Sequence, residues 1–196
     1  MRNNTLTTTR RTVLAGALAM MAAPAFALSE GDATNLVSKL VSDIQKTIDS
    51  GKTGNALIND FKKIFDTYAD VPIIARSSLG VTWRSATDAQ RRAYSAAFRS
   101  YVAEKYGNRF DEFSGAEITV TGANKTKRGY VVNSTAKLPS GSSVAVEWQV
   151  SDASGSAKVF DIYIEGISML VTERGEIGAM LDARGGNLDQ LIADIG

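Results

Sequence analysis

The chain has 196 residues, carries 22 Lys and Arg against 21 Asp and Glu, and contains neither His nor Cys. A formal charge of +1 gives none of the basic excess that nucleic-acid binding requires. Without His and Cys the chain cannot form a Ser-His-Asp or Cys-His catalytic arrangement, the usual zinc sites, or a disulfide. Carboxylates, Lys, Tyr and hydroxyl groups remain, so the composition favours a binding protein over an enzyme.

The first 27 residues have the pattern of an export signal. Arg10 and Arg11 precede an apolar run from Val13 to Ala23, and Ala25-Phe26-Ala27 places small residues at the cleavage positions. The run is too short to span a membrane. The two arginines fit a general secretory signal or a twin-arginine signal, and the pattern does not separate them. We expect an exported protein in which residues 28–196 form a single domain.

Most of the first half of the exported chain is predicted to be helical. Apolar residues recur at intervals of three and four, as on the buried face of an amphipathic helix. Pro72 separates two of these segments, and Thr87 with Gln90 has the spacing of a capping box at the start of a long aromatic helix. The predicted helices cover residues 30–49, 55–68 and 73–79, a segment from Thr87 towards Phe110 and Phe113 that ends at Ser114-Gly115, and the closing segments 173–183 and 188–195.

A period of two then replaces the helical period, which predicts strands. The predicted strands cover Ile118 to Val120, 130–136, 144–150 and 160–164. The segments between them, Gly122-Ala123-Asn124, Pro139-Ser140-Gly141 and Asp152-Ala153-Ser154-Gly155, have the composition of hairpin loops, so neighbouring strands should be antiparallel. Helices, then strands, then helices is an α+β order. We expect a cone-like α+β domain with one four-stranded twisted antiparallel sheet, packed on one face by helices.

Alternation along the last predicted strand assigns its side chains to two faces. Phe160 and Ile162 should face the helices, while Asp161 and Glu165 should face water. Large apolar residues of the sheet and the helices are then expected to surround one space between the layers. They are Leu79, Trp83, Phe98, Tyr101, Val102, Tyr106, Val146, Trp148, Phe160, Ile162 and Ile164. Their periodicity fits a filled core and also an apolar cavity that holds a ligand.

The charged residues form no clear catalytic constellation. A glycosidase needs two carboxyl groups across one sugar bond with different pKa values, and Asp161 and Glu165 are more simply a solvated strand face. Two alternatives to a ligand carrier remain open: a small cone-like isomerase with Asp161 as its base, and an interaction module with a solid core. Arg76, Arg84 and Arg174 either meet a ligand headgroup or a partner, or face solvent.

Two segments, from Arg76 to Trp83 and from Phe160 to Met169, stand out as motifs. The first reads Arg-Ser-Ser-Leu-Gly-Val-Thr-Trp and the second Phe-Asp-Ile-Tyr-Ile-Glu-Gly-Ile-Ser-Met. They resemble the Arg-x-x-Leu-Gly-x-x-Trp run and the Tyr-Asp-Val-x-x-Glu-Gly-Val-Ser-Leu phrase of the MlaC family (toluene-tolerance, Ttg2-type) of periplasmic phospholipid-binding proteins. Arg174 matches the Arg that follows in that family. Thr172-Glu173 stands where the family usually has Asn-Tyr.

The resemblance implies a carrier that holds phospholipid acyl tails between a twisted sheet and its helices, with the headgroup outside. It implies no catalytic residue, no metal and no cofactor besides the bound phospholipid, and it makes the apolar residues above the tail lining. It also implies two partners, an outer-membrane lipoprotein complex and the MCE-domain subunit of an inner-membrane ABC transporter. We expect a monomer that shuttles lipid between them across the periplasm and so maintains outer-membrane lipid asymmetry.

Overall fold

The computed structural model describes residues 28–109 and 115–196. The predicted export signal, and Phe110 and Phe113 at the predicted end of the aromatic helix, lie outside these residues. The helices are α1 (Glu30–Ile48), α2 (Gly54–Tyr68), α3 (Val71–Leu79), α4 (Thr82–Ser85), α5 (Asp88–Gly107), α6 (Met169–Asp182) and α7 (Leu188–Ile195), and the strands are β1 (Glu117–Thr126), β2 (Gly129–Lys137), β3 (Ser143–Ser151), β4 (Lys158–Ile164) and β5 (Ile167–Ser168). This order confirms the α+β fold. Among the described helices, none is long and apolar enough to cross a membrane.

Side-chain caps fix where α1, α3, α5, α6 and α7 begin. The capping box predicted for α5 is present: Thr87 Oγ1 accepts from the backbone N–H of Gln90 at 3.2 Å, and Gln90 Oε1 accepts from the backbone N–H of Thr87 at 3.0 Å. α3 begins at Val71, earlier than predicted, because Asp70 caps it. Pro72 does not delay this start, since a proline is tolerated in the first helical turn, where no intrahelical N–H bond is lost.

α6 begins four residues before its predicted start at Glu173. Ser168 Oγ accepts a hydrogen bond from the backbone N–H of Val171 at 3.1 Å and donates one to Asp161 Oδ2 at 2.6 Å. Asp161 Oδ1 also accepts from the backbone N–H of Leu170 at 3.0 Å. These bonds satisfy N–H groups that the first turn of a helix leaves free. The apolar pattern of the sequence therefore missed the start of this helix.

The sheet has five strands, not the four predicted. Its order is β1-β2-β3-β4-β5, and each neighbouring pair is antiparallel. The additional strand β5 has two residues and pairs with the end of β4, where Ile167 lies opposite Ile164. The tight turn between them uses Glu165 and Gly166, both with positive φ. Within the second motif, Ile167 and Ser168 thus form a short return strand, and Met169 begins α6.

The first hairpin turns later than predicted. β1 continues through the predicted loop at Gly122-Ala123-Asn124, with a register shift after Val120, and the turn falls at Lys127-Arg128. Gly129 opens β2 with a φ of 138°, and a Cβ there would lie 2.0 Å from the backbone O of Val150. Glycine is required at this position because β3 passes too close for a side chain.

A bulge in β4 changes the predicted faces of that strand. Val159 lies opposite Val150 and Asp161 lies opposite Gln149, so Phe160 is an extra residue in β4. Val159 therefore takes the inward position that simple alternation assigns to Phe160. Asp161 is buried against the start of α6 and does not face water, which corrects the predicted polar face at this residue.

The helices pack against the sheet in two groups. α1 lies across β1, β2 and β3, and α2 packs between α1 and α5. α3, α5, α6 and α7 pack mainly with one another, and α3 and α6 reach the sheet at β4. Between α2 and α3, the backbone N–H of Asp70 donates to the carbonyl O of Val159 at 2.8 Å. This bond ties the junction of the two groups to β4.

Candidate functional site

The first apolar core, termed the sheet cluster, lies between the sheet, α1 and the end of α2. Its buried members are Ala33, Val37, Leu40, Val41, Ile64, Tyr68, Val132, Ala136, Val146, Trp148, Val150 and Val159. The indole N–H of Trp148 donates to Ser134 Oγ at 2.9 Å, and Ser134 donates to the backbone O of Val146 at 3.2 Å. The polar atom of the largest side chain in this core is therefore satisfied, which fixes the ring in place.

The second apolar core, termed the helix cluster, is built from α3, α5, α6 and α7. Its buried members are Ala75, Leu79, Ala86, Tyr94, Phe98, Val102, Ile177, Leu181, Leu188 and Leu191. The rings of Tyr94 and Phe98 stack with centroids 5.7 Å apart, and Tyr101 lies tilted against Phe98 at 6.3 Å. The hydroxyl of Tyr94 lies 2.8 Å from Ser78 Oγ, and burial raises the pKa of Tyr94. This core is aromatic and well packed along α5.

α2 lies between the two clusters and contributes a different side to each. Ile64 and Tyr68 are buried in the sheet cluster, whereas Phe61 and Phe65 pack against the helix cluster. Tyr68 Oη donates to Asp43 Oδ2 of α1 at 2.6 Å, and burial together with this acceptor raises the pKa of Tyr68 to about 12. α2 is therefore a partition shared by both cores and hydrogen-bonded to α1.

The predicted tail-lining residues divide between these two cores. In the sheet cluster, Val146 and Trp148 are buried, and Ile162 packs against them half-buried. In the helix cluster, Leu79, Phe98 and Val102 are buried, and Trp83, Tyr101 and Tyr106 pack against it half-buried. Phe160 and Ile164 belong to neither cluster, and the guanidinium of Arg128 lies 5.2 Å from the centroid of the Phe160 ring. The sequence predicted one shared space, and the structure places these residues around two cores.

Both cores have a border of apolar side chains that remain partly exposed. Around the sheet cluster these include Leu36, Ile44, Ile118, Val120, Tyr130, Val144 and Ile162, and around the helix cluster they include Phe61, Phe65, Ile74, Trp83, Tyr101, Tyr106, Met180, Ile192 and Ile195. Scattered apolar atoms are normal on a protein surface, whereas a concentration of them marks a place that can bind an apolar ligand. Five of the six aromatic residues named here border the helix cluster, and only Tyr130 borders the sheet cluster.

A groove of about 570 Å³ separates α1 from β1. It is lined by Ser38, Val41, Ser42, Gln45, Lys46, Asp49, Ile118, Thr119 and Val120. Most of these residues are polar, and none belongs to the predicted tail lining. Because an acyl tail needs a predominantly apolar surface, this groove is not the candidate lipid site.

A polar cluster joins α5 to α6 beside the helix cluster. Lys105 Nζ lies 2.6 Å from Glu173 Oε1 and 2.5 Å from Glu176 Oε2. The hydroxyl of Tyr106 donates to Glu173, and that of Tyr101 donates to Glu176 at 3.1 Å. Burial opposes the charge on Lys105, but the two carboxylate partners outweigh it and raise the pKa of Lys105. The cluster therefore contains a charged lysine held between two carboxylates, an arrangement termed the α5–α6 ion cluster.

Glu173 is the deepest member of this ion cluster. It is 4% exposed, and its Oε2 has no hydrogen-bond partner in the part of the chain that the structure describes. Sequence reasoning missed the cluster because Lys105 and Glu173 are 68 positions apart. The available signal was spacing: Tyr101 and Lys105 share one face of a predicted helix, and Glu173 and Glu176 share one face of another. Nothing in the sequence shows that these two faces meet.

The proposed base of the isomerase alternative, Asp161, is occupied by structural hydrogen bonds. Its carboxylate accepts from the backbone N–H groups of Ile162 at 2.8 Å and Leu170 at 3.0 Å, and from Ser168 Oγ at 2.6 Å. A general base must instead reach a substrate proton. Among the residues that the structure describes, no group of His, Cys, Asp and Glu is placed to hold a metal ion.

The three arginines singled out in the sequence are all exposed. Arg174 of α6 lies over Gly80 at the end of α3, where its Nε is 3.1 Å from the position that a Cβ would take. Gly80 is the C-cap of α3, and its φ of 62° lies in the left-handed region that favours glycine. Arg76 and Arg84 lie on the neighbouring helices α3 and α4.

A sequence model of the MlaC family, described as MlaC protein, matches residues 34–196. The chain belongs to the MlaC family. The match includes the helix cluster, all of the sheet cluster except Ala33, the α5–α6 ion cluster and the three arginines. It confirms the resemblance seen in the two motifs, and it covers nearly all residues that the structure describes.

The fold of this MlaC-family chain is similar to that of a solved phospholipid-binding protein from Ralstonia solanacearum, whose structure contains a phospholipid. The two folds superpose with a TM-score of 0.66 at 22% sequence identity, over 83% of this chain and 98% of that chain. This similarity confirms the α+β fold with an antiparallel sheet packed against helices. At 22% sequence identity the similarity establishes a shared fold, and it does not identify which residues of this chain contact a ligand.

Proposed function

We propose that this MlaC-family chain is a periplasmic phospholipid carrier that buries acyl tails between its sheet and its helices. Family membership over residues 34–196 is the observation that supports carriage most strongly. The phospholipid in the structure of the Ralstonia solanacearum protein supports the ligand class. The partly exposed apolar borders of both cores, apart from the residues that line the polar groove beside α1, supply a surface of the required chemistry.

Burial of the acyl chains supplies the driving force for such a carrier. Two tails have about 30 methylene groups, and at roughly 0.8 kcal/mol for each group their exposure to water costs on the order of 20 kcal/mol. Apolar side chains remove this cost by replacing the bilayer interior, without directed hydrogen bonds. A sequence without His or Cys is therefore sufficient for the task.

The structure ranks the proposed tail-lining residues by their exposure. Trp83, Tyr101, Tyr106 and Ile162 are partly exposed at the borders of the cores, so a tail can contact them directly. Ile164 is also partly exposed but lies outside both cores. The others are covered by protein atoms, so their contact with a tail requires the two groups of helices to separate. α2 is the element whose displacement would join the two cores, because it contributes a side to each.

The proposed carrier exchanges its lipid with protein complexes on both sides of the periplasm. An outer-membrane lipoprotein complex and the MCE-domain subunit of an inner-membrane ABC transporter are the proposed partners, and maintenance of outer-membrane lipid asymmetry is the proposed outcome. The export signal predicted from residues 1–27 supports this compartment. The periplasm permits disulfides, but this chain contains no Cys, so its fold does not depend on one.

The two alternatives to a lipid carrier, an isomerase and an interaction module, predict different structural features. An isomerase would use Asp161 as a base, yet its carboxylate is engaged by Ser168 and by backbone N–H groups at the start of α6. An interaction module with a solid core would hold no lipid. The structure therefore counts against the first alternative, and lipid content separates the second from the carrier.

Lipid extraction tests the proposed carriage. The full chain is expressed with its own signal, purified from the periplasmic fraction and denatured in organic solvent, and the extract is analysed by mass spectrometry. A carrier releases phospholipid in stoichiometric amount, and an unrelated exported protein of similar size, purified in parallel, measures the carry-over. Repeated preparations with no phospholipid above that background would contradict carriage and favour the solid-core module.

A further inference from the structure

Three large apolar side chains remain mostly exposed in the described residues. They are Val81, Ile167 and Val171, with 72%, 63% and 68% of their surfaces exposed. Val81 lies in the turn between α3 and α4, Ile167 lies in the short strand β5, and Val171 lies in the first turn of α6. None of the three belongs to either apolar core.

Arg174 connects two of these side chains in space. On α6, Val171 and Arg174 are three residues apart and therefore share one face of the helix. The guanidinium of Arg174 lies against Gly80, with Nε 3.1 Å from the position of a Cβ on that glycine. Val81 follows Gly80 directly in the chain. Val81 and Val171 therefore flank a single arginine on one surface.

Two further arginines adjoin this surface. The backbone N–H of Arg84 donates to the carbonyl O of Val81 at 3.0 Å, so Arg84 lies one helical turn after that valine. Arg76 lies one turn of α3 before Gly80. Arg76, Arg84 and Arg174 are exposed, and none forms an ion pair with a carboxylate of the described residues. The surface thus combines aliphatic tips with three free positive charges.

We infer that this surface docks the protein on a bilayer that contains anionic phospholipid. The valine–arginine patch consists of Val81, Val171, Arg76, Arg84 and Arg174. Its aliphatic tips enter the boundary between headgroups and acyl chains, while its guanidinium groups bind phosphate oxygens with paired N–H donors. The inference rests on the proposed function, because a phospholipid carrier has reason to contact a bilayer.

The chemistry of the patch favours a bilayer over a protein as its occupant. A stable protein interface covers about 800 Å² on each partner and is anchored by Trp, Tyr and Arg side chains in pockets. The mostly exposed apolar residues of the patch, Val81 and Val171, are small aliphatic side chains on separate elements, without an aromatic ring between them. Unpaired arginines beside small apolar tips match the phosphate layer of an anionic membrane surface.

Co-sedimentation with vesicles tests the inference on the full exported chain. One set of vesicles is pure phosphatidylcholine, and the other is phosphatidylcholine mixed with phosphatidylglycerol. We expect the protein to sediment with the mixed vesicles at low salt and to bind them less at high salt, because salt screens the arginines. Arg174→Glu should lower the partition coefficient about tenfold. The double variant Val81→Ser, Val171→Ser should lower it about fivefold, at high salt as well.

Lys39→Glu is the matched control for Arg174→Glu, because Lys39 is an exposed basic residue of α1 outside the patch. It should change the partition coefficient by less than about twofold. Circular dichroism verifies that each variant is folded. Equal binding to the two kinds of vesicle, or an equal loss for Lys39→Glu and Arg174→Glu, overturns the inference.

A photo-crosslinking amino acid in place of Val171 separates the two classes of occupant in cells. Capture of phospholipid in cells, and again when the purified protein is irradiated with mixed vesicles but not without them, supports the inference. Capture of a protein by a chain that does not bind vesicles assigns the patch to a protein partner and overturns it. Lipid extraction from the same preparations keeps the proposed function separate. Protein that carries phospholipid but ignores mixed vesicles overturns the docking surface alone, and protein that carries none overturns carriage.

Discussion

Lys105 of α5 binds two carboxylates of α6 at once, with Nζ 2.6 Å from Glu173 Oε1 and 2.5 Å from Glu176 Oε2. Glu173 is buried, and its second oxygen lacks a partner among the described residues. A buried charge is costly unless an opposite charge lies nearby. Lys105 therefore holds α6 against α5 and stabilises the helix cluster at its polar side.

Replacing Lys105 by Met should lower the free energy of unfolding by about 3 kcal/mol, because Glu173 is left buried without its positive partner. Lys46→Met is the matched control, since Lys46 forms a surface pair with Asp43 at 2.9 Å. Such pairs contribute about 0.5 kcal/mol. Urea unfolding of the two variants measures the difference. Similar small losses for both would show that the ion cluster does not anchor α6.

The free energy of unfolding should be nearly constant between about pH 6 and pH 9, because no His or Cys is present to titrate there. Below this range it should fall. The hydrogen bond from Lys105 lowers the pKa of Glu176 from its ordinary value of 4.5. A carboxyl group with a lowered pKa in the folded state stabilises the protein above its unfolded pKa, and this contribution is lost as the pH falls through the folded pKa.

Stability should also fall above about pH 10. Burial raises the pKa of Tyr94 and, together with the bond to Glu173, that of Tyr106, and the pKa of Tyr68 is raised to about 12. A raised pKa stabilises the folded state fully below the unfolded pKa, near 10 for tyrosine, and this contribution is lost as the pH rises through the folded pKa. Urea unfolding across the pH range measures the loss of stability at the acidic end and at the basic end. A sharp change in the free energy of unfolding near neutral pH would show that groups other than these carboxylates and tyrosines control stability.

Ser168→Ala should destabilise the protein by about 1 to 2 kcal/mol. The substitution removes the acceptor for the N–H of Val171 at the start of α6, and it also removes a hydrogen bond to Asp161. Ser42→Ala is the control, because Ser42 is exposed within α1 and caps no helix. Thermal and urea unfolding compare the two. No loss for Ser168→Ala would mean that α6 is held at its start by packing alone.

Gly129→Ala should destabilise the protein by about 3 kcal/mol or more, because positive φ and a clash with β3 act together. A Cβ at Gly129 would lie 2.0 Å from the backbone O of Val150. Gly141→Ala is the matched control: Gly141 has a φ of 87°, and no described atom lies within 4 Å of the position that its Cβ would take, so about 1 kcal/mol is expected. The difference in unfolding free energy isolates the clash, and equal losses would disprove it.

Ile162→Trp should lower the phospholipid content of the purified protein by about twofold or more, because the larger ring fills apolar space at the border of the sheet cluster. Ile162 is half-buried and belongs to the proposed tail lining. Ile118→Trp is the control, since Ile118 is also half-buried against that cluster but lines the polar groove beside α1. Extraction and mass spectrometry measure lipid per chain. Unchanged content in Ile162→Trp would remove this residue from the lining.

Helix periodicity predicted most of the fold because α1, α2 and α7 each show an apolar face at intervals of three and four. Two strand features could not be predicted in this way. A period of two does not reveal an inserted residue. The sequence pattern therefore missed the bulge at Phe160 and the buried position of the Val159 side chain. The glycine at position 122 suggested a loop, although β1 continues through it.

The sequence predicted which residues of the candidate site lie in the interior, but not how those residues are arranged in space. Periodicity identified Trp148 and Phe98 as interior residues, but the core that each one joins depends on where α2 lies between the helices and the sheet. The ion pair of Lys105 and Glu173 depends on a contact between two helices far apart in the sequence. Single-sequence patterns describe one element at a time, so such contacts lie beyond them.

The shared position of α2 has a mechanical consequence. Its Ile64 side belongs to one core and its Phe65 side packs on the other. Protein interiors are close-packed and compress little. A guest that widens the helix side must push α2 towards α1 and the sheet, where the strained packing pushes back. In the proposed carrier, this resistance would favour release of the lipid once an outward path opens, and the displacement of one helix would couple loading to unloading.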